Sequence, residues 1–236
     1  MSDYNNYQTS YEQQGYKQLS YISNYLISPS LVPPTVQSEP ANGEITVRSG
    51  ASVNLVCRAN GNPNPTGKDM NNISLLYLFS SLVSWTREDV KDKSLSSLKH
   101  SLTNHGSVLT LHSVTRAASG LYLCQARNGV GQPATDHIKL HVLYAPHVHA
   151  VHPVVEGGAG HKAVMVCIVH AEPVADVVWY KNSMQLDMRR DYITSKENKR
   201  YFLTVPKVGE EDFANYTCQA SNSLGKSRGQ IQLRGE

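Results

Sequence analysis

A chain of 236 residues, 40% hydrophobic and 17% charged, has room for one or two folded domains and enough apolar content to fill them. Its net charge of +3 is too weak for a nucleic-acid partner. The densest basic group (Arg189, Arg190, Lys196, Lys199 and Arg200) reads as a solvated strand face, and no apolar run of about 20 residues is present to span a membrane.

In chain order, residues 1–32 come first. Tyr4, Tyr7, Tyr11, Tyr16, Tyr21 and Tyr25 recur among Gln, Asn and Ser without a strand period, so this stretch reads as a disordered tail or non-native coding sequence. It lacks the basic and apolar regions of a signal peptide. The cysteines point the other way. Cys57, Cys124, Cys167 and Cys218 form an even set in separated pairs, which suggests disulfides and an oxidising compartment.

The remainder repeats. Val53, Leu55 and Cys57 alternate as one strand face, and Ala163, Met165 and Cys167 do the same in the second half. Tyr122, Cys124 and Ala126 are matched by Tyr216, Cys218 and Ala220. A period of two puts each cysteine on an inward face, where a bridge between sheets can form. The Asn128-Gly129 and Asn222-Ser223 turns follow, with residues that tolerate positive φ. In the second half Trp179 lies 12 residues after Cys167, and Cys218 lies 51 after it. In the first half Trp85 lies 28 residues after Cys57, and Cys124 lies 67 after it. Both spacings exceed their counterparts by 16, so one insertion, Gly67 to Leu82, accounts for both.

That insertion carries Ile73, Leu75, Leu76, Tyr77, Leu78, Phe79 and Leu82, an aggregation hazard at a loop tip. It reads first as a translated intron, with Gly-Lys from a splice donor and the Leu/Tyr/Phe/Ser run from a pyrimidine tract. A genuine loop with a hydrophobic binding tip is the alternative.

Candidate chemistry is sparse. His147, His149 and His152 lie close together, with His137, His141 and His161 nearby, but no acidic residue is spaced to complete a metal site. They read as solvated histidines; no metal and no cofactor are expected. No nucleophile motif or phosphate-binding glycine loop is present, and no enzyme activity is expected. Asn215-Tyr216-Thr217 is a glycosylation sequon whose asparagine should point away from Tyr216. Asn72-Ile73-Ser74 is a second, inside the insertion.

The stretches LVCRANGNPNPT, VSWTRED and LYLCQARNGVG resemble intermediate-set immunoglobulin domains. So do VVWYKNSMQLD and DFANYTCQASNSLGKS. The likeness narrows to lachesin-type and IgLON-type neuronal adhesion proteins, and covers about Leu31 to Glu236. It implies an all-β fold of two tandem antiparallel sandwiches, at 33–144 and 145–236, joined semi-rigidly at Tyr144-Ala145-Pro146. It implies bridges Cys57–Cys124 and Cys167–Cys218, core tryptophans Trp85 and Trp179, and tyrosine corners at Tyr122 and Tyr216. It offers Arg190 as a partner for Asp212 and leaves the first domain, with Ala118 at the matching position, without such a pair.

In function, the resemblance implies the second and third domains of a cell-surface adhesion protein, with the Pro-rich LVPPTV stretch, Leu31 to Val36, as the linker after a first domain, and without its signal peptide or lipid-anchor signal. The partner would be another cell-surface protein, a copy of itself or a related immunoglobulin-superfamily member. The sheet holding strands C, F and G is the usual docking face of such domains. Two rivals share the fold: an intracellular muscle-filament array, which leaves the cysteines reduced, and a fragment of a receptor-kinase ectodomain.

Overall fold

Alternating inward and outward residues dominate the fold, and no α-helix occurs among the described residues. The computed structural model describes residues 30–62, 82–91, 94–187 and 192–235. The tail up to residue 29, the insertion up to residue 81 with Asn72, and Arg189 and Arg190 lie outside them. The described residues separate into two compact units, one drawn from 30–44, 54–62, 82–91, 94–111 and 121–139, the other from 45–53, 112–120, 140–187 and 192–235.

The strands in the first half are β1 (Val32–Glu39), β2 (Glu44–Arg48), β3 (Val53–Asn62) and β4 (Leu82–Arg87). They continue with β5 (His100–Thr103), β6 (Val108–Leu111), β7 (Gly120–Arg127) and the 17-residue β8 (Ala134–Ala150). One sheet runs β1-β3-β6-β5; in the other, β4, β7 and β8 are successive neighbours, with β2 on β8. The LVPPTV stretch is therefore strand rather than linker. Pro33 and Pro34 fit because β1 is an edge strand, and its register shifts between Val32 and Thr35. The first unit's core holds Leu55, Cys57, Val83, Trp85, Leu109, Leu111, Tyr122, Cys124, Ala126 and Ile138, all buried.

The second half adds β9 (Val154–Glu156), β10 (Ala163–Glu172), β11 (Asp176–Lys181) and β12 (Met184–Gln185). The last strands are β13 (Ile193–Glu197), β14 (Arg200–Val205), β15 (Asn215–Asn222) and β16 (Gly225–Arg234). One sheet places β13, β14, β10 and β8 in succession; the other runs β12-β11-β15-β16-β9. Among the described residues of this half, pairing is antiparallel except between β16 and β9, which run parallel. The core between them is built on Met165, Cys167, Trp179, Leu203, Tyr216, Cys218, Ile231 and Leu233.

Each unit has its own bridge. Cys57 and Cys124 are joined with Cα atoms 6.5 Å apart, and Cys167 and Cys218 with 6.7 Å. Two glycines permit close approach at these centres. Gly106, at φ +87, accepts a 2.6 Å hydrogen bond from Trp85 Nε1, and a Cβ there would meet the Val83 carbonyl. Gly229 lies opposite Cys218, where a Cβ would meet its sulfur at 3.1 Å.

Candidate recognition face

The strand register of β11, β15 and β16 builds an outward grid of side chains. Tyr180, Thr217 and Gln230 form one row; Val178, Gln219 and Arg228 form the next. Asp176, Ser221 and Lys226 form the third. The alternate positions, Trp179, Tyr216, Cys218 and Ile231, point into the core. One face thus packs into the core and the other points outward. Arg228 Nε donates to Gln219 Oε1 at 2.7 Å, which fixes both side chains across the strand pair. Between Tyr180, Ser183, Thr217, Arg228 and Gln230 lies a shallow cavity of about 130 Å³. It is small for a drug-sized ligand, whose pockets run to roughly 300 Å³ or more.

Below this face a charged cluster fixes β11 to the turn before β15. Lys181 lies two residues after Trp179, so alternation turns it inward, and a partly buried cation needs a partner. It donates to Asp212 Oδ1 at 2.9 Å and to Tyr192 Oη at 3.0 Å. The Tyr192 hydroxyl donates to the same Asp212 oxygen at 2.9 Å, and the Gly209 N–H to Oδ2 at 3.0 Å. Burial pushes the Asp212 carboxyl up, but these donors outweigh it and hold the group below the usual carboxylate range. Tyr216 donates its hydroxyl to the Asp212 backbone carbonyl at 3.0 Å, closing the turn onto the strand. Burial raises the Tyr216 phenol well above its ordinary range.

The first unit solves the same problem differently. Arg87 occupies the position of Lys181, two residues after its tryptophan and opposite Tyr122 in register. It reaches Asp89 instead, with Nη2 2.6 Å from Oδ2 and Nε 3.2 Å from Oδ1. Its guanidinium lies 5.5 Å from the centroid of the Tyr122 ring. Burial pushes the Tyr122 phenol up to about 12. Both cations were detectable in sequence, since VSWTR and VVWYK align and alternation aims Arg87 and Lys181 inward.

The other expected site residues fall as follows. Trp85 and Trp179 are buried, as are Tyr122 and Tyr216. Asn215 opens β15 and is exposed, its N–H bonded to Asn182 Oδ1 at 3.2 Å. The histidines form no cluster of three or more metal-binding side chains among the described residues. His147 does lie opposite His170, a pairing that sequence spacing did not reveal. The turn asparagines act as hooks. Asn128 donates to the Val32 carbonyl at 2.8 Å, and Asn222 to those of Tyr144 and Pro173, both at 3.0 Å.

Comparison with known proteins agrees with this architecture. Residues 33–142 match the immunoglobulin domain model, and residues 146–234 the immunoglobulin I-set domain model. Protein amalgam of Drosophila melanogaster is 31% identical over 205 residues, covering 85% of this chain and 56% of its own. The limbic system-associated membrane protein of Rattus norvegicus is 28% identical over 202 residues, covering 86% and 52%. The chain thus spans about half the length of these curated relatives. Among solved structures, the complex of Dpr2 Ig1-Ig2 with DIP-Theta Ig1-Ig3 matches with a TM-score of 0.66 at 26% identity. That match covers 87% of this chain and 66% of the other. The titin tandem A168169 matches at 0.59 with 18% identity, covering 86% and 99%, a likeness of fold alone. The chain belongs to the immunoglobulin superfamily, with an I-set domain in its second half.

Proposed function

We propose that this chain is a recognition segment of a cell-surface adhesion protein. It binds another immunoglobulin-superfamily protein, either a copy of itself or a relative, and works by contact rather than catalysis. The observation that carries this reading is the similarity across some 85% of the chain to amalgam and the limbic system-associated membrane protein. The Dpr2–DIP-Theta likeness supports partners of the same superfamily, since those two were solved bound to each other. On this reading the cysteines form in an oxidising, extracellular compartment, and the parent protein reaches the membrane through a lipid anchor. The two modules meet near Tyr144-Ala145, a boundary supported by family matches that end at 142 and begin at 146.

The outward face of β11, β15 and β16 is the surface we assign to contact. Tyr180 supplies a rigid amphipathic anchor and Arg228 a charged one, two residue types enriched at interface hot spots. The test is a pairwise screen of the multimerised chain against cell-surface immunoglobulin proteins and itself. We expect at least one partner, and at least tenfold weaker binding for Tyr180→Ala or Arg228→Ala. Absence of any partner, together with four free thiols in the natively expressed protein, would overturn the reading in favour of an intracellular array.

A further inference from the structure

The opposite sheet of the second unit carries a concentration of cations that the adhesion reading does not use. On β8, β10 and β14 the register aligns His149, Ile168 and Arg200 in one row, with His147 directly opposite His170 in the next. Residues directly opposite in an antiparallel pair share a face. His147, His149, His170 and Arg200 therefore project from the same side. Lys199 adjoins them in the turn before β14, where its carbonyl accepts a 2.8 Å bond from the Val169 N–H. Arg116, in the same compact unit, is near enough for its charge to act on His170.

Two acids approach this end of the face. Glu197 lies opposite Arg200 across the hairpin, and Glu172 lies opposite Tyr144. Neither forms an ion pair with the cluster among the described residues, and the side chains of Arg116, Lys199 and Arg200 have no hydrogen-bond or salt-bridge partner there. All three are exposed. Away from this end the face continues through Val166 and Phe202, so the charge stays confined to one end. Burial lowers the proton affinity of His170, and the charges of Lys199, Arg116 and His147 lower it further.

We propose that this end of the β8-β10-β14 face binds a sulfated polysaccharide. The cations spread across three strands, about 10 Å at the usual strand spacing, which suits a row of anionic groups on a polymer better than one small anion. The choice of a glycan as the source of sulfate rests on the cell-surface reading above. Bound sulfate would stabilise protonated His170, so binding takes up protons and strengthens as pH falls from 7.4 to 6.0.

The experiment is chromatography of the full chain on immobilised heparin at both pH values, with unsulfated dextran and duplex DNA as comparison ligands. Wild-type protein should be retained on heparin, elute at higher salt at pH 6.0, and pass through dextran. Arg116→Gln/Lys199→Gln/Arg200→Gln should elute early and show a salt slope lower by about 2, if each lost cation counts for the roughly 0.7–0.9 known for nucleic acids. Arg58→Gln, on the first unit, should leave retention unchanged. NMR titration of His170 gives a readout independent of the column: a heparin hexasaccharide should raise its pKa in wild type and leave it unmoved in the triple variant. Retention equal in wild type and triple variant, an unmoved His170, or equal retention on DNA would each overturn the proposal. Glycan failure with an immunoglobulin partner still bound leaves the adhesion reading standing, and the converse sinks that reading alone.

Discussion

Lys181 and Asp212 meet at 2.9 Å, with side chains 20% and 9% exposed, while the equivalent Arg87 turns to Asp89 only two residues away. In the second unit the pair ties β11 to the turn preceding β15, 31 residues apart in sequence. In the first, where Ala118 stands at the matching position, Arg87 pairs with Asp89 and lies over the Tyr122 ring. Both arrangements satisfy a cation placed inward by alternation next to a core tryptophan. The two pairs differ in burial, the Asp89 side chain being 36% exposed and that of Asp212 9%, and they should therefore differ in their contribution to stability.

Asp212→Asn should destabilise the second unit by about 2–3 kcal/mol, because it weakens a charge-assisted network and leaves Lys181 poorly neutralised. Asp89→Asn should cost under about 1 kcal/mol, because the Asp89 side chain is 36% exposed and screened by solvent. Urea denaturation followed by Trp179 fluorescence in a Trp85→Phe background isolates the second unit. The Asp212 carboxyl is held below its ordinary range, so its contribution is complete above about pH 4. It is lost as pH falls below that toward the folded value. Asp212→Asn should remove this part of the acid sensitivity; an unchanged acid profile would refute the assignment.

The two corner tyrosines give a signature at the opposite end of the pH scale. Both phenols are raised above their ordinary range, Tyr122 to about 12, chiefly by burial of the charged form. A raised folded value means that the stabilisation is complete below about pH 10 and is lost as pH climbs beyond it. Absorbance titration at the phenolate band should show these two ionising only above their ordinary range, together with unfolding. Tyr216→Phe should lose the bond to the Asp212 carbonyl at a cost of about 1 kcal/mol.

Much of this architecture was legible in the chain because it rests on period-two alternation. Cys57, Trp85, Tyr122 and Cys124, with their counterparts in the second half, are spaced by strand geometry, and one 16-residue deletion brings the halves into register. The partner of Asp212 was harder to find. The family pattern pointed to Arg190, which lies outside the described residues, while Lys181, which donates to Asp212, was signalled by its inward direction two residues after Trp179. The strand character of Val32–Glu39 was hidden because two prolines suggest a linker until the edge position of β1 is known. The face shared by His147 and His170 depends on pairing between strands some 20 residues apart, and local pattern holds no information about that register.

Deletion of residues 67–82 tests whether the first unit needs its insertion. Removal shortens the Cys57–Cys124 separation from 67 to 51, the value of the second bridge. Loop-closure entropy changes by only about 0.2 kcal/mol for that difference. The deleted chain should keep its bridge and its thermal midpoint within a few degrees, and should aggregate less during refolding. A loss of more than about 1 kcal/mol would show that the segment packs as part of the domain, and would remove support for a translated intron.

Asn215 offers a test of compartment that does not depend on finding a partner. It is exposed at the first position of β15, and Tyr216 and Cys218 turn to the core while Thr217 completes the sequon on the outer side. A glycan there would extend into solvent without displacing any core side chain. Chain secreted from an insect or mammalian host should therefore lose about 1–2 kDa on enzymatic deglycosylation, as one N-linked glycan would. Asn215→Gln should abolish that loss if Asn72 is unused. A second shift remaining in the variant assigns Asn72 as well and counts against the translated-intron reading of its segment. No shift in either protein, despite efficient secretion, would show that the Thr217 outer row is inaccessible to the transferase, and would argue that the start of β15 folds before the oligosaccharide arrives.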